Sequence, residues 1–222
     1  MIIAGYNPNS CVDYPGNIAS VIFLPNCPLR CVYCHNKPML DGEYEAIPYE
    51  EVLERIKKNK LFLDGVVITG GEPTLTPIED LKKLISDIKS LNLLVKIDTC
   101  GSSPKVLEQL LPLVDYVAMD IKAPLDKYSM ITPATDKLME NISKSIELVK
   151  QAKDYEFRTT LDPKLTVDDI ETIAKMIEGA KAYYIQQFVA TDFYYPKAYS
   201  SDYLKWCVET ANKYVKTASR GG

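Results

Sequence analysis

The chain of 222 residues is 46% hydrophobic and 25% charged, which is typical of a soluble globular protein with a substantial core. Its net charge is −4 and it contains no long basic run, so the composition disfavours nucleic acid as the main partner. The first residues lack the basic and apolar regions of an export signal, and no apolar run approaches the ~20 residues that span a bilayer. We therefore expect a cytoplasmic protein, in which clustered cysteines favour metal over disulfides.

Six apolar runs predict strands, and the segments between them have the amphipathic periodicity of helices. Residues 1–17 are expected to be an irregular lead-in to the first strand. The strands are expected at 18–24, 65–69, 93–98, 115–120, 155–161 and 182–189. The helices are expected near 48–59, 77–90, 104–111, 137–152, 166–179 and 200–217.

The strict alternation of strand and helix predicts an α/β fold with a parallel sheet and the helices outside it. A full eight-unit barrel typically needs ~250 residues. Six units in 222 residues therefore favour one domain, residues 1–222, built as a partial (β/α)6 TIM-like barrel that is open along one side. A doubly wound open sheet is the alternative.

Three cysteines directly follow the first predicted strand, at the spacing C-x3-C-x2-C: Cys27, Cys31 and Cys34. Three thiolates suit a [4Fe–4S] cluster in which one iron has no protein ligand. The same stretch also matches the C-x-x-C-H motif of haem attachment, although that attachment normally follows export. A structural zinc site made by the three cysteines and His35, the only histidine, is a further alternative. The remaining cysteines are expected to be small buried apolar residues and not ligands: Cys11, Cys100 and Cys207.

Polar residues follow the next strands, and the carboxyl ends of parallel strands meet at one edge of a sheet. The second strand ends at Gly70-Gly71-Glu72-Pro73, where the glycines allow close approach of the backbone to a ligand and Glu72 could accept from an ammonium group. Tyr33, in the cysteine loop, could stack on a flat heterocycle or pack in the core.

The third and fourth strands end at Asp98-Thr99 and at Asp120, whose oxygens could hold a sugar hydroxyl, an amine or a hard cation, or could cap helices. Lys122 and Arg158 could bind a carboxylate or form ion pairs on the surface. A surface ion pair explains Arg158 less well, because Arg158 lies inside an apolar strand.

Taken together, these residues resemble the radical S-adenosylmethionine (SAM) enzymes, over nearly the whole chain. Within them the chain is most similar to the activating enzymes of glycyl-radical enzymes, such as those of anaerobic ribonucleoside-triphosphate reductase and pyruvate formate-lyase. The superfamily resemblance rests on the cysteine loop followed by Gly-Gly-Glu-Pro. The narrower one rests on Asp13-Tyr14-Pro15-Gly16, Cys34-His35-Asn36 and the short length.

The resemblance implies that Cys27, Cys31 and Cys34 ligate a [4Fe–4S] cluster and that SAM chelates the fourth iron. It implies that reduction of the cluster cleaves SAM to a radical that takes hydrogen from a glycine of a partner protein. A separate flavodoxin or ferredoxin would donate the electron. The implied SAM contacts, with a possible monovalent cation beside the carboxylates, are Tyr33, Gly70, Gly71, Glu72, Asp98, Thr99, Asp120, Lys122 and Arg158.

Two positions depart from the family pattern: Asn26 stands where glycine is usual, and Cys100 where asparagine is common. Two other functions remain open: radical SAM chemistry on a small molecule in cofactor or modified-base synthesis, and a zinc or electron-transfer module.

Overall fold

One eight-stranded sheet runs through residues 1–221, the part of the chain that the computed structural model describes. The strands lie side by side in chain order. They are β1 (Gly5–Ser10), β2 (Ala19–Leu24), β3 (Gly65–Gly70), β4 (Leu94–Thr99), β5 (Tyr116–Asp120), β6 (Tyr155–Leu161), β7 (Tyr183–Gln187) and β8 (Thr217–Arg220). The strand β1 is antiparallel to β2, and all the following pairs are parallel.

Helices connect the successive parallel strands. They are α1 (Lys37–Leu40), α2 (Tyr49–Asn59), α3 (Ile78–Lys89), α4 (Pro104–Leu110), α5 (Asp136–Val149), α6 (Val167–Met176) and α7 (Ser201–Ala211). Short 3-10 helices occur at Lys60–Phe62, Pro73–Leu75 and Leu125–Met130. The six predicted strand–helix units are therefore present, which confirms the partial barrel. A doubly wound sheet would reverse its strand order at a switch point, and this sheet does not.

The expectation that residues 1–17 are irregular is wrong for Gly5–Ser10, which forms β1. This segment has no alternation of apolar residues, and Pro8 interrupts it. It becomes a strand because it pairs with β2, with Gly5 opposite Phe23 and Asn7 opposite Val21. An edge strand tolerates a proline because its outer side needs no ladder hydrogen bonds.

The two faces of the parallel strands carry different kinds of side chain, because successive side chains of a strand point to opposite faces of the sheet. The outward face packs on the helices and builds the main apolar core, for example through Ile68, Ile97 and Phe157. The inward face is apolar only near the amino ends of the strands, where a small cluster forms from Tyr14, Ala19, Val21 and Val67. Further along the strands the interior of the barrel becomes polar and charged, and this change positions the site.

No helix within residues 1–221 is long and apolar enough to cross a membrane.

Candidate active site

A cavity of about 460 Å³ opens at the carboxyl ends of the parallel strands. The predicted site residues in its wall are Cys27, Cys31, Tyr33, Cys34, Gly70, Gly71, Asp98, Thr99, Asp120 and Lys122. Glu72 and Arg158 do not line it. Four loops and strand ends, far apart in sequence, thus bring thiols, carboxylates and a lysine to one space.

The cysteine loop is held against its neighbours by backbone hydrogen bonds. Val32 N donates to Ile131 O at 2.9 Å, and Arg30 N donates to Thr132 Oγ1 at 2.8 Å. On the other side, Asn36 Nδ2 donates to Gly70 O at 2.9 Å. These bonds fix the loop relative to the end of β3 and to the residues that follow the 3-10 helix Leu125–Met130.

The three cysteines of the loop are half-buried. Burial raises the pKa of Cys31 to about 11 and also raises the pKa of Cys34. The pKa of Cys27 is lowered, because the thiol of Cys100 hydrogen-bonds to it. No group of three or more His, Cys, Asp or Glu side chains within residues 1–221 is spaced to hold a single metal ion. All three thiols line the same cavity.

Gly70 and Gly71 allow the end of β3 to pack directly on the end of β2. Gly70 has a φ of +112°, and a Cβ there would lie 2.5 Å from Leu24 N. A Cβ on Gly71 would lie 2.0 Å from Asn26 O. Asn26 itself has a φ of +69°, a left-handed conformation that asparagine adopts more readily than most residues. This conformation explains why asparagine can replace the glycine that is usual in the family.

Glu72 is fully buried and uses its carboxylate inside the protein. Its Oε1 accepts from Thr74 N at 3.1 Å, Thr74 Oγ1 at 2.6 Å and Thr99 Oγ1 at 2.8 Å. Its Oε2 accepts from Cys100 N at 2.6 Å. In this structure Glu72 therefore shapes the turn after β4. Its expected hydrogen bond to an ammonium group of a bound ligand stays a prediction.

Charged side chains form a connected network inside the barrel. Arg158 Nε donates to Asp120 Oδ1 at 2.8 Å, and its NH2 lies 3.3 Å from Asp98 Oδ2. Lys122 Nζ donates to Asp120 Oδ2 at 3.1 Å, and Lys96 pairs with Asp98. Burial alone would raise the pKa of Asp120, but Arg158 and Lys122 hold it well below its usual range.

The network has an excess of positive charge, because three cations (Lys96, Lys122 and Arg158) face two carboxylates (Asp98 and Asp120). This balance favours an anionic ligand group at Lys122, which lines the cavity. The monovalent cation expected beside the two aspartates stays a prediction, and the charge balance does not favour it.

Some buried polar atoms in the cavity wall have no partner. The hydroxyl of Tyr33 and Oε1 of Gln187 are both buried and make no hydrogen bond. Both residues line the cavity. These two atoms are buried beneath the wall, so the parts of Tyr33 and Gln187 that line the cavity are other atoms of the same residues.

Sequence reasoning missed several charged residues around the site. Lys96 and Glu156 are fully buried in strands, and the argument applied to Arg158 could have found both. Arg220 lines the cavity and pairs with Glu156 through two bonds of 2.5 and 2.7 Å. Nothing in the sequence singled out Arg220, because the short polar segment that forms β8 has no strand-like pattern.

The fold and the cavity define an α/β enzyme with its site at the carboxyl ends of a partial barrel. The chain belongs to the radical SAM superfamily, whose family model matches residues 21–177. This assignment favours an enzyme over a zinc or electron-transfer module.

The chain is also similar to several known proteins. A protein of Methanocaldococcus jannaschii, assigned as a glycyl-radical enzyme activating enzyme, is 37% identical over 200 residues, covering 87% of this chain and 82% of its own. The 7-carboxy-7-deazaguanine synthase of Thermococcus kodakarensis is 26% identical, covering 72% of this chain and 70% of its own. A solved structure of TYW1 with a lysine–pyruvate adduct shares the fold, with a TM-score of 0.66 at 19% identity, covering 88% of this chain and 73% of that one.

Proposed function

We propose that the chain, acting as a single radical SAM domain, generates a glycyl radical on a partner enzyme, and that this partner is anaerobic ribonucleoside-triphosphate reductase. The observation that carries the proposal is the meeting of three thiols, the Gly70-Gly71 turn and Lys122 around one cavity. The 37% identical relative assigned as a glycyl-radical enzyme activating enzyme supports the choice of a glycine as the hydrogen donor.

Cys27, Cys31 and Cys34 would hold the [4Fe–4S] cluster, since they are the three cysteines of one loop and all of them line the cavity. Together, the bound cluster and SAM would supply one-electron, hydrogen-abstracting chemistry. The protein contributes by half-burying the thiols, and burial raises the pKa of Cys31 to about 11.

The remaining wall residues would bind SAM. Lys122 is the cation placed to receive its carboxylate, because it lines the cavity and belongs to a network with surplus positive charge. The backbone of Gly70 and Gly71 would lie beside its amino group, and Tyr33, which also lines the cavity, would lie against the adenine.

Three further residues would complete the pocket. Asp98, Thr99 and Asp120 lie in the wall where the resemblance expects the ribose and the carboxylate. Arg158 would act through the two aspartates that it holds, and Glu72 would act through Thr99.

A protein substrate fits the shape of the barrel. Within residues 1–221, β1 pairs with β2 only and β8 with β7 only, so the barrel is not closed. The ends of β7 and β8 contribute Gln186, Gln187 and Arg220 to the cavity wall on this open side. An extended glycine-bearing segment of the partner could enter there, and a flavodoxin or ferredoxin would supply the electron.

The proposal is tested by incubating the anaerobically reconstituted chain with a reductant, SAM and the reductase. We expect formation of methionine and 5′-deoxyadenosine, together with a glycyl-radical signal in electron paramagnetic resonance. If the glycine Cα carries deuterium, the label should appear in 5′-deoxyadenosine. A Cys34→Ala variant is the control and should give neither product nor radical.

Radical SAM chemistry on a small molecule is the second candidate, and the relative that is a 7-carboxy-7-deazaguanine synthase favours it. SAM cleavage that proceeds normally, with no glycyl radical and no label transfer from the reductase, would contradict the first proposal and support this one.

A further inference from the structure

The cavity wall on the open side of the barrel contains a row of three polar side chains on adjacent strands. Thr160 on β6 is the register partner of Gln186 on β7, and Gln186 is the register partner of Arg220 on β8. All three residues line the cavity. Neighbouring strands lie ~4.8 Å apart, so the row spans about 10 Å of the inward face of the sheet.

This row has hydrogen-bonding groups that the protein does not use. Within residues 1–221, the hydroxyl of Thr160 and the amide of Gln186 make no hydrogen bond, and none of their polar atoms is buried. Arg220 donates from NH1 and NH2 to the two carboxylate oxygens of Glu156, at 2.5 and 2.7 Å. A guanidinium has about five N–H donors, so roughly three of them have no partner in this part of the chain. The row therefore offers both donors and acceptors to a ligand.

The row carries no uncompensated charge. Glu156 is fully buried and neutralises Arg220 through both of its oxygens, while Thr160 and Gln186 are neutral. The ring of Tyr184, with its centroid 3.6 Å from Cζ of Arg220, fixes the guanidinium further. A row of this kind favours a neutral ligand rich in donors and acceptors over an anion. Amide groups have these properties, and every residue of a polypeptide backbone except proline supplies one donor and one acceptor.

The row ends at an open edge of the sheet. Within residues 1–221, β8 pairs with β7 only, and Ala218 and Ser219 of β8 are exposed. A ligand longer than the cavity could therefore continue past Arg220 to the outside of the protein. An extended polypeptide advances ~3.3 Å per residue, so about three of its residues match the length of the row.

We propose that Thr160, Gln186 and Arg220 form a binding subsite for the backbone of an extended polypeptide, and that they hold the glycine-bearing segment of the partner through its amide groups. This inference rests on the proposed function, because it takes a protein as the substrate. Glycine has no side chain to bind, so hydrogen bonds to the main chain around it are a direct way to fix the position of its Cα.

The test compares the binding of two synthetic peptides to the protein loaded with cluster and SAM but not reduced. One peptide has the sequence around the glycine of anaerobic ribonucleoside-triphosphate reductase. The other has the same side chains but carries backbone esters in place of the two amides that flank the glycine. An ester lacks the N–H donor and is a weaker acceptor. Dissociation constants are measured anaerobically by fluorescence anisotropy, so the readout does not depend on turnover.

Two variants remove hydrogen-bonding groups from the row without changing its shape. Gln186→Met removes the amide and keeps the length of the side chain, and Thr160→Val removes the hydroxyl and keeps the volume. Gln109→Met is the matched control, because Gln109 is exposed on α4 and does not line the cavity. Arg220 is left unchanged, because its removal would leave the carboxylate of Glu156 buried without its cation.

We expect wild type to bind the amide peptide at least about threefold more tightly than the ester peptide. Gln186→Met and Thr160→Val should each weaken binding of the amide peptide by about threefold to tenfold, which corresponds to the loss of one neutral hydrogen bond. Each variant should also reduce the preference for the amide peptide over the ester peptide, which a general disturbance of packing would not do. Gln109→Met should bind both peptides as wild type does.

Equal binding of the two peptides by wild type, or variants that keep the full preference for the amide peptide, would overturn this inference. If neither peptide binds but the intact reductase still acquires a glycyl radical, the inference is refuted and the proposed function stands. If neither peptide binds and no glycyl radical forms on the reductase, both are overturned.

Discussion

Replacing Glu72 by glutamine should destabilise the protein even without a bound cofactor. The carboxylate accepts four hydrogen bonds, three at Oε1 and one at Oε2. An amide keeps only one acceptor oxygen, so in its better orientation it retains the three bonds at Oε1 and turns an N–H group toward Cys100 N. The loss of one charge-assisted bond costs about 1.5–3 kcal/mol, and the three remaining bonds become neutral and weaker. We expect a total loss of about 3 kcal/mol in the free energy of unfolding.

The assay is urea unfolding of the metal-free protein under reducing conditions, followed by circular dichroism. Glu79→Gln is the control, because Glu79 has a side chain that is 81% exposed and pairs only with Lys82 on the surface. This control should change the unfolding free energy by less than about 0.5 kcal/mol. If Glu72→Gln also cost less than about 1 kcal/mol, the conclusion that Glu72 organises the turn after β4 would be refuted.

Substitutions at three further positions, Gly71, Asn26 and Asp120, test the packing and the charge network. Gly71→Ala should lower the free energy of unfolding by about 1–3 kcal/mol and reduce the iron content after reconstitution, because its Cβ would lie 2.0 Å from Asn26 O. Gly5→Ala is the control and should have neither effect, because the nearest atom to its Cβ would be 3.4 Å away. Asn26→Gly should unfold at the same temperature as wild type or higher, whereas Asn26→Ala should lose about 1 kcal/mol, because only alanine is strained at a φ of +69°. Asp120→Asn should cost about 3 kcal/mol at pH 7, since it leaves Arg158 short of a partner. The pKa of Asp120 is lowered in the folded protein. As the pH falls below about 4, wild type should therefore lose its stability advantage over Asp120→Asn. The free energies of unfolding of the two proteins, measured by urea titration, should then converge.

The strands and helices of the barrel could be predicted because each carries its own periodic pattern. Val66, Val67 and Ile68 are fully buried in β3, as a continuous apolar run indicates. The strand β8 carries no such pattern, since Thr217–Arg220 is short and polar. It exists because Tyr183 and Gln186 on β7 pair with it, and a partner far away in sequence leaves no local signal.

For the site, the sequence predicts which residues lie at the same edge of the sheet, but not how their side chains pair. The sequence indicates that Glu72 follows β3, but not that its carboxylate turns inward to Thr99 and Cys100. Likewise, Arg158 was noticed as a charge in an apolar strand, but its two partners, Asp98 and Asp120, depend on the register of β4, β5 and β6. Side-chain direction and strand register arise from tertiary packing, which local patterns do not contain.

The most direct test of the central claim is an electron paramagnetic resonance spectrum of the anaerobically reconstituted and reduced protein, recorded with and without SAM. The account predicts the signal of a reduced [4Fe–4S] cluster that shifts when SAM is added, because one iron has no protein ligand. A Cys31→Ala variant should lack this signal. A wild-type cluster whose signal is indifferent to SAM, or a protein that takes up zinc in place of a cluster, would contradict the account.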